Sequence, residues 1–132
     1  MKNSVLILLA VIVPLVAAGV YFGLFSKTTN NLPDIKPTEV VSLKNGDTYS
    51  LTASWVLKNI NGNTVKMLAY NGSIPGPLIK VTQGSQITLN FKNETDVDTT
   101  IHSHGVRLEN KFDGVPDVTQ DPVKPGKSFT YQ

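Results

Sequence analysis

From residue 39 onward, the sequence consists of short alternating runs separated by turns, a pattern that restricts the domain to β-sheet architectures. In residues 49–55, apolar and aromatic side chains alternate with Ser and Thr, so each set lies on one face of a strand. Asn61-Gly62 marks a tight hairpin, because both residue types accept positive φ. No stretch after Phe25 has the spacing of an amphipathic helix. The pattern therefore predicts an all-β domain.

The turns divide residues 39–132 into about seven runs with strand character. Short strands at this spacing are typical of an antiparallel sandwich or barrel. The last run begins at Ser128 and no further run follows it to cover the sheet edge, so we expect a β-sandwich that is incomplete at its C-terminus. The predicted strands are residues 40–43, 49–60, 64–69, 78–82, 87–91, 99–107 and 128–131.

The N-terminal segment is an apolar run without charge, residues 4–25. As a helix it would span roughly 33 Å, which matches the hydrocarbon core of a bilayer. Two interpretations of residues 1–25 are open. An uncleaved signal anchor is favoured because the run continues past Ala18, and a signal peptide cleaved after Val16-Ala17-Ala18 is the alternative. Both predict an extracytoplasmic domain, periplasmic or at the cell surface, that follows a polar linker at residues 26–38.

Composition excludes several functions. The sequence has 12 Lys and Arg against 10 Asp and Glu, and these charges are scattered, so no nucleic-acid surface is indicated. It contains no Cys, which excludes disulfides, zinc–thiolate sites, cysteine nucleophiles and a copper–thiolate site formed by this sequence alone.

The only two histidines, His102 and His104, lie one residue apart in the run 99–107. Because positions i and i+2 of a strand share a face, the two imidazoles are expected to project together, with Ser103 on the opposite side. Neutral imidazole is a good ligand for copper and zinc. A bare His-x-His is nevertheless a short pattern, and two unrelated surface residues would also produce it.

The surrounding residues resemble the first cupredoxin (plastocyanin-like) domain of the multicopper oxidases, the laccase-like family. His102-Ser103-His104-Gly105 is similar to the family's first copper motif, His-x-His-Gly, although the family usually has an aromatic residue where this sequence has Ser103. The resemblance covers residues 39–132 and implies a Greek-key cupredoxin-like β-sandwich. Further family signatures occur in order: residues 70–77, Asp113-Gly114, Thr119-Gln120, Pro125-Gly126 and Phe129-Thr130-Tyr131.

The resemblance also implies roles for three residues. His102 would bind the type 2 copper, and His104 would bind one copper of the type 3 pair. Asp113 would be the acid near the copper cluster that donates or relays protons when dioxygen is reduced to water. A carboxylate within hydrogen-bond reach of the reacting group can perform this task. The alternative for Asp113 is an ordinary turn residue in an Asp-Gly pair.

The family's complete ligand set is larger than this sequence provides, because a single His-x-His motif is present and the Cys ligand of the type 1 copper is absent. The resemblance therefore implies the N-terminal fragment of an oxidase that oxidises a phenol, an amine or a metal ion and reduces dioxygen. The alternative is a non-catalytic copper-binding module. A two-domain copper nitrite reductase is disfavoured, since its His-x4-His spacing is missing. The expected partners are copper ions, dioxygen, a small reducing substrate and a membrane contacted through residues 4–25.

Overall fold

The computed structural model describes residues 31–132, of which Pro33–Gln132 form one compact unit. The predicted signal anchor or signal peptide lies outside the described residues. Within residues 31–132, no helix combines the length and the apolar character that a membrane crossing requires.

The described residues contain strands and one short 3₁₀ turn. The 3₁₀ turn, Asn110–Phe112, lies in the long connection between the last two strands. An almost purely β architecture is consistent with the predicted cupredoxin-like fold. The strands are β1 (Val40–Leu43), β2 (Thr48–Ile60), β3 (Asn63–Tyr70), β4 (Leu78–Val81), β5 (Thr88–Asn93) and β6 (Ser128–Tyr131).

The strands form a four-stranded sheet in the order β3-β2-β5-β6 and a two-stranded sheet of β1 and β4. The pairs β2–β3 and β5–β6 are antiparallel, whereas β2–β5 and β1–β4 are parallel. The expectation of an antiparallel architecture was therefore wrong for two of the pairings. Parallel neighbours require a long crossover connection, and here β3 and β4 lie between β2 and β5 in the sequence.

The predicted hairpin at Asn61-Gly62 is confirmed. Asn61 and Gly62 have φ values of 51° and 84°, the signs that a type I′ turn requires. The turn pairs Ile60 with Asn63 and sets the register of β2 against β3. β2 is long because its first part pairs with β5 and its second part with β3, the two pairings meeting at Ala53.

The main cluster of buried apolar residues lies on one face of the four-stranded sheet. Leu51 and Ala53 of β2, Phe91 of β5 and Tyr131 of β6 are buried there. Phe112 and Val123 belong to the same buried cluster, and both lie in the connection between β5 and β6 rather than in a strand. This connection, residues 94–127, also carries both histidines, so burial of its apolar residues fixes the position of the candidate site.

Residues 33–36, at the start of this unit, are hydrogen-bonded to the rest of it. The carbonyl of Pro33 accepts a hydrogen bond from the Leu57 amide at 2.9 Å, and the Ile35 amide donates to the Leu57 carbonyl at 2.9 Å. The Lys36 amide then donates to the carbonyl of Gly72 at 2.8 Å. Residues 33–36, in the second half of the predicted linker, are therefore held against β2 and the loop that follows β3.

Candidate metal centre

The run that carries the histidines is not a strand, contrary to the sequence-based prediction. Among the described residues, the only β-bridge that this run forms is the one between Thr99 and Val123. The run ends in a turn in which the Val106 amide donates to the Ser103 carbonyl at 3.3 Å, and Gly105 has φ of 77°. A positive φ breaks the extended conformation, so no regular pairing continues beyond His104.

The alternation of side chains nevertheless persists across the histidines. His102 and His104 are exposed, whereas Ile101 and Ser103 are half-buried. The two imidazole centroids lie 5.7 Å apart, with an angle of 78° between the ring planes. The two rings therefore stand side by side at the surface, as the i, i+2 spacing predicts.

The ring of His102 is fixed by a backbone group. Its Nδ1 lies 2.7 Å from the main-chain carbonyl oxygen of Asp113. Because a carbonyl oxygen can only accept, Nδ1 must carry the hydrogen, and in the neutral ring Nε2 keeps its lone pair. A carbonyl that orients the ring in this way is a common arrangement behind metal-binding histidines. The local geometry thus leaves the lone pair of His102 Nε2 available to a metal ion.

The carboxylate of Asp113 lies beside the same ring without a hydrogen bond to it. Its Oδ2 is 3.8 Å from Nδ1 of His102, beyond hydrogen-bond distance. The Asp113 side chain is about one-third exposed, at 34%. Asp113 therefore orients the imidazole through its main chain, and its carboxylate remains free to interact with groups at the surface.

The loop that carries Asp113 is attached to the histidine segment at several points. The 3₁₀ turn ends at buried Phe112, and the Asp113 amide donates to the Asn110 carbonyl at 3.2 Å. Gly114 is buried, and the hydroxyl of Thr100 donates to its carbonyl at 2.6 Å. These contacts bring the carbonyl of Asp113 to the ring of His102, eleven residues earlier in the chain.

A further contact comes from the sheet. The hydroxyl of Tyr131 on β6 accepts a hydrogen bond from the amide of Ile101 at 2.9 Å. Tyr131 is itself buried in the core, with 5% of its surface exposed. The residue immediately before His102 is therefore tied directly to the four-stranded sheet.

The structure thus brings all three predicted site residues together, with His104 and Asp113 both placed next to His102. Sequence reasoning missed the supporting residues Thr100 and Gly114 and the hydroxyl of Tyr131. The Asp-Gly and Phe-x-Tyr pairs were visible signals for two of them. Their partners, however, lie 14 and 30 residues away in the chain, and nothing in a single sequence identifies such distant contacts.

His102 and His104 are the two imidazoles that the described region offers to a metal ion. Across residues 31–132, no group of three or more His, Cys, Asp or Glu side chains is arranged to hold a metal ion. Two exposed imidazoles, one with a fixed tautomer, suit a soft or borderline transition metal such as copper. Two imidazoles would fill only part of the coordination shell of such an ion, and other ligands would have to complete it.

An almost purely β domain that presents two neighbouring imidazoles is what a cupredoxin-like domain would provide. A sequence profile of the multicopper oxidases matches residues 52–132, more than half of the chain, and the chain belongs to this family. Copper is accordingly the cofactor that family membership implies.

Individual relatives agree with this assignment. A copper resistance protein A homolog from Pseudomonas syringae pv. tomato is 38% identical over 87 residues, covering 66% of this chain and 15% of that protein. Laccase abr2 from Aspergillus fumigatus is 36% identical over 86 residues, covering 64% of this chain and 15% of that protein. The crystal structure of a multi-copper oxidase from Pseudomonas thermotolerans matches with a TM-score of 0.62 and 37% identity, covering 70% of this chain and 22% of that one.

Proposed function

We propose that this chain supplies His102 and His104 as copper ligands of an oxidase that oxidises a one-electron donor and reduces dioxygen to water. His102 would hold the type 2 copper and His104 one copper of the type 3 pair. The observation that carries the proposal is the pair of exposed rings with centroids 5.7 Å apart, one of them held by the Asp113 carbonyl. Rings this close on one surface suit neighbouring metal ions that each take one imidazole.

Copper, when bound, would supply one-electron redox chemistry at such a site. The residues of this chain would orient a ligand and handle protons. The hydrogen bond from Nδ1 of His102 to the Asp113 carbonyl keeps Nε2 available as a ligand atom and fixes the direction of the ring. The partly exposed Asp113 carboxylate would hold and pass protons next to that ring, the relay role inferred from the family resemblance.

We further propose that the chain is the N-terminal part of a longer protein. It spans about 15% of the length of the curated relatives described above, and the remaining copper ligands would lie in the other part. None of the residues in β1 and β4 is fully buried, which fits a Greek-key sandwich whose second sheet receives additional strands. An extracytoplasmic location, with residues 4–25 as membrane anchor or signal, is part of the same proposal.

The reducing substrate is proposed only as a class. Its members are phenols, amines and metal ions, all of which can lose one electron at a time. The relatives include proteins named as a laccase and as copper resistance proteins, which is compatible with either an organic donor or a metal ion.

The ligand assignment is tested by copper binding to the chain itself. Equilibrium dialysis and electron paramagnetic resonance with Cu²⁺ would be compared for the wild type, His102→Ala and His104→Ala, with Ser103→Ala as the matched control. We expect each histidine variant to bind less copper than the wild type and to change the copper spectrum, and Ser103→Ala to retain both. Unchanged copper binding in His102→Ala would overturn the assignment.

A second candidate function is a copper-binding module without catalysis. It requires only the two neighbouring imidazoles that this chain presents. The two functions are separated by oxygen consumption with a generic one-electron donor, using the copper-loaded protein that contains this chain. Copper-dependent oxygen uptake that His102→Ala abolishes supports the oxidase, whereas copper binding without oxygen uptake supports the module.

A further inference from the structure

We propose that Tyr131 is a positioning residue for the copper site, and that its hydroxyl fixes the backbone from which the ring of His102 projects. The inference rests on the proposed role of His102 as a copper ligand. Its basis is the 2.9 Å hydrogen bond from the Ile101 amide to the Tyr131 hydroxyl oxygen. Ile101 immediately precedes His102, so this bond lies one residue from the imidazole.

The Tyr131 ring is well suited to act as a fixed support. It is 5% exposed, and it packs at a tilt against Phe129 and Phe91, with ring centroids 4.7 Å and 6.4 Å away. Its main chain belongs to β6, where it pairs with Leu89 of β5. A ring held by the sheet and by two aromatic neighbours has little rotational freedom, so the hydroxyl presents a nearly immobile acceptor.

The histidine segment depends on such an acceptor because it is not part of a regular sheet. Beyond the bridge at Thr99, the Ile101 amide is held by a side chain rather than by a neighbouring strand. Ile101 is half-buried, and a backbone donor left without a partner in such a position costs free energy. Without the hydroxyl, this amide must donate to water or to another acceptor. The backbone at Ile101 then has to move.

A backbone shift at Ile101 would be transmitted to His102, the proposed copper ligand, through only a few contacts. The hydrogen bond from His102 to the Asp113 carbonyl is 2.7 Å long and requires the two main chains to keep their separation. Gly114, the residue after Asp113, packs directly against the carbonyl group of Ile101. The Tyr131 hydroxyl thus supports the same backbone contact that selects the Nδ1–H tautomer of His102.

The test compares Tyr131→Phe with Tyr49→Phe in the full chain. Tyr49 also packs against the core, and its hydroxyl accepts a hydrogen bond from Asn71 Nδ2 at 2.9 Å, away from the histidines. Both variants lose one hydroxyl from the same sheet. We expect Tyr131→Phe to raise the Kd for Cu²⁺ about three- to tenfold relative to Tyr49→Phe, the range that one lost hydrogen bond produces. In metal-free protein, nitrogen-15 NMR should show an added Nε2–H tautomer for His102 in Tyr131→Phe alone.

The possible outcomes distinguish this inference from the proposed function. Equal copper affinity and equal tautomer populations in Tyr131→Phe and Tyr49→Phe would overturn the positioning role. Normal copper binding by His102→Ala would instead contradict the ligand assignment, and the metal-free NMR measurement would still decide whether Tyr131 positions the ring. If Tyr131→Phe does not fold, 4-fluorophenylalanine at position 131 keeps nearly the size of the side chain and replaces the hydroxyl oxygen by fluorine, a much weaker acceptor. The rise in the Kd for Cu²⁺ and the added Nε2–H tautomer of His102 are then expected to be smaller, and the absence of both would reject the inference.

Discussion

Gly114 lies directly against the carbonyl group of Ile101, so closely that a Cβ atom at position 114 would overlap that carbonyl. The same Cβ would also stand 3.0 Å from the backbone nitrogen of His102. Gly114 has φ of 76°, a conformation that L side chains rarely adopt. The approach of the Asp113 loop to the histidine segment thus depends on the absence of a side chain at this one position.

Gly114→Ala is therefore expected to destabilise the fold and to release the ring of His102. The positive φ and the overlap with Ile101 together should cost roughly 2–4 kcal/mol of unfolding free energy, measured by urea denaturation. Gly126→Ala is the matched control, since Gly126 has φ of 74° and a Cβ atom added there would meet no other atom within 4 Å. The control should lose only about 1 kcal/mol. Equal losses in the two variants would show that the contact with Ile101 is unimportant.

Asp113→Asn is expected to separate two roles of Asp113: orientation of His102 by its main-chain carbonyl and the proposed proton relay by its carboxylate. The Asp113 carbonyl, which holds His102, is retained, so stability should change by less than about 0.5 kcal/mol and the His102 tautomer should stay the same by NMR. If the carboxylate relays protons, oxygen reduction by the complete oxidase should fall about 10²- to 10⁴-fold. Asp121→Asn, at another exposed carboxylate in the same connection, serves as the control. Full turnover in Asp113→Asn would remove the relay role.

Much of the sheet could be predicted from the sequence, because local signals determine it. Alternation identified β2, and the positive φ tolerated by Asn61 and Gly62 identified the hairpin to β3. The parallel pairing of β2 with β5 could not be predicted in this way. It depends on which strands meet after a long connection, and alternation along one strand carries no information about its neighbour.

The neighbouring placement of the two histidines could be predicted from the sequence, whereas the contacts that support them could not. Spacing alone placed His102 and His104 side by side. The same reasoning assigned them to a strand, which was wrong because Gly105 turns the chain and a tyrosine hydroxyl replaces a neighbouring strand as the partner of Ile101. The sequence gives the identity and spacing of neighbouring side chains, whereas contacts between distant segments form only when the chain packs.

Asn93 at the end of β5 is expected to be a major determinant of stability. It is fully buried, and its Nδ2 donates to the carbonyls of Val97 and Val123, each at 2.8 Å. Its Oδ1 accepts from the Thr95 amide at 3.0 Å and from the Thr95 hydroxyl at 2.7 Å. Asn93→Ala removes all four of these hydrogen bonds and takes away the acceptor of the buried Thr95 amide, so it should cost about 2–4 kcal/mol in urea denaturation. Asn90→Ala, at an exposed position on the same strand, should cost less than about 1 kcal/mol, and a comparable loss in both would contradict this role.

Tyr70 is expected to make the fold sensitive to alkaline pH. Burial, together with the nearby phenol of Tyr131, raises the pKa of Tyr70 above its ordinary value of about 10. Below the ordinary value the phenol is neutral in both states, so its contribution to stability is fully present. As the pH rises toward the raised pKa, the unfolded chain ionises first and the folded state loses stability. Unfolding free energies measured by urea denaturation between about pH 9 and 11 should therefore fall less steeply in Tyr70→Phe than in the wild type. Tyr49→Phe, which leaves Tyr70 in place, should retain more of the wild-type slope, and identical slopes in Tyr70→Phe and the wild type would contradict the assignment.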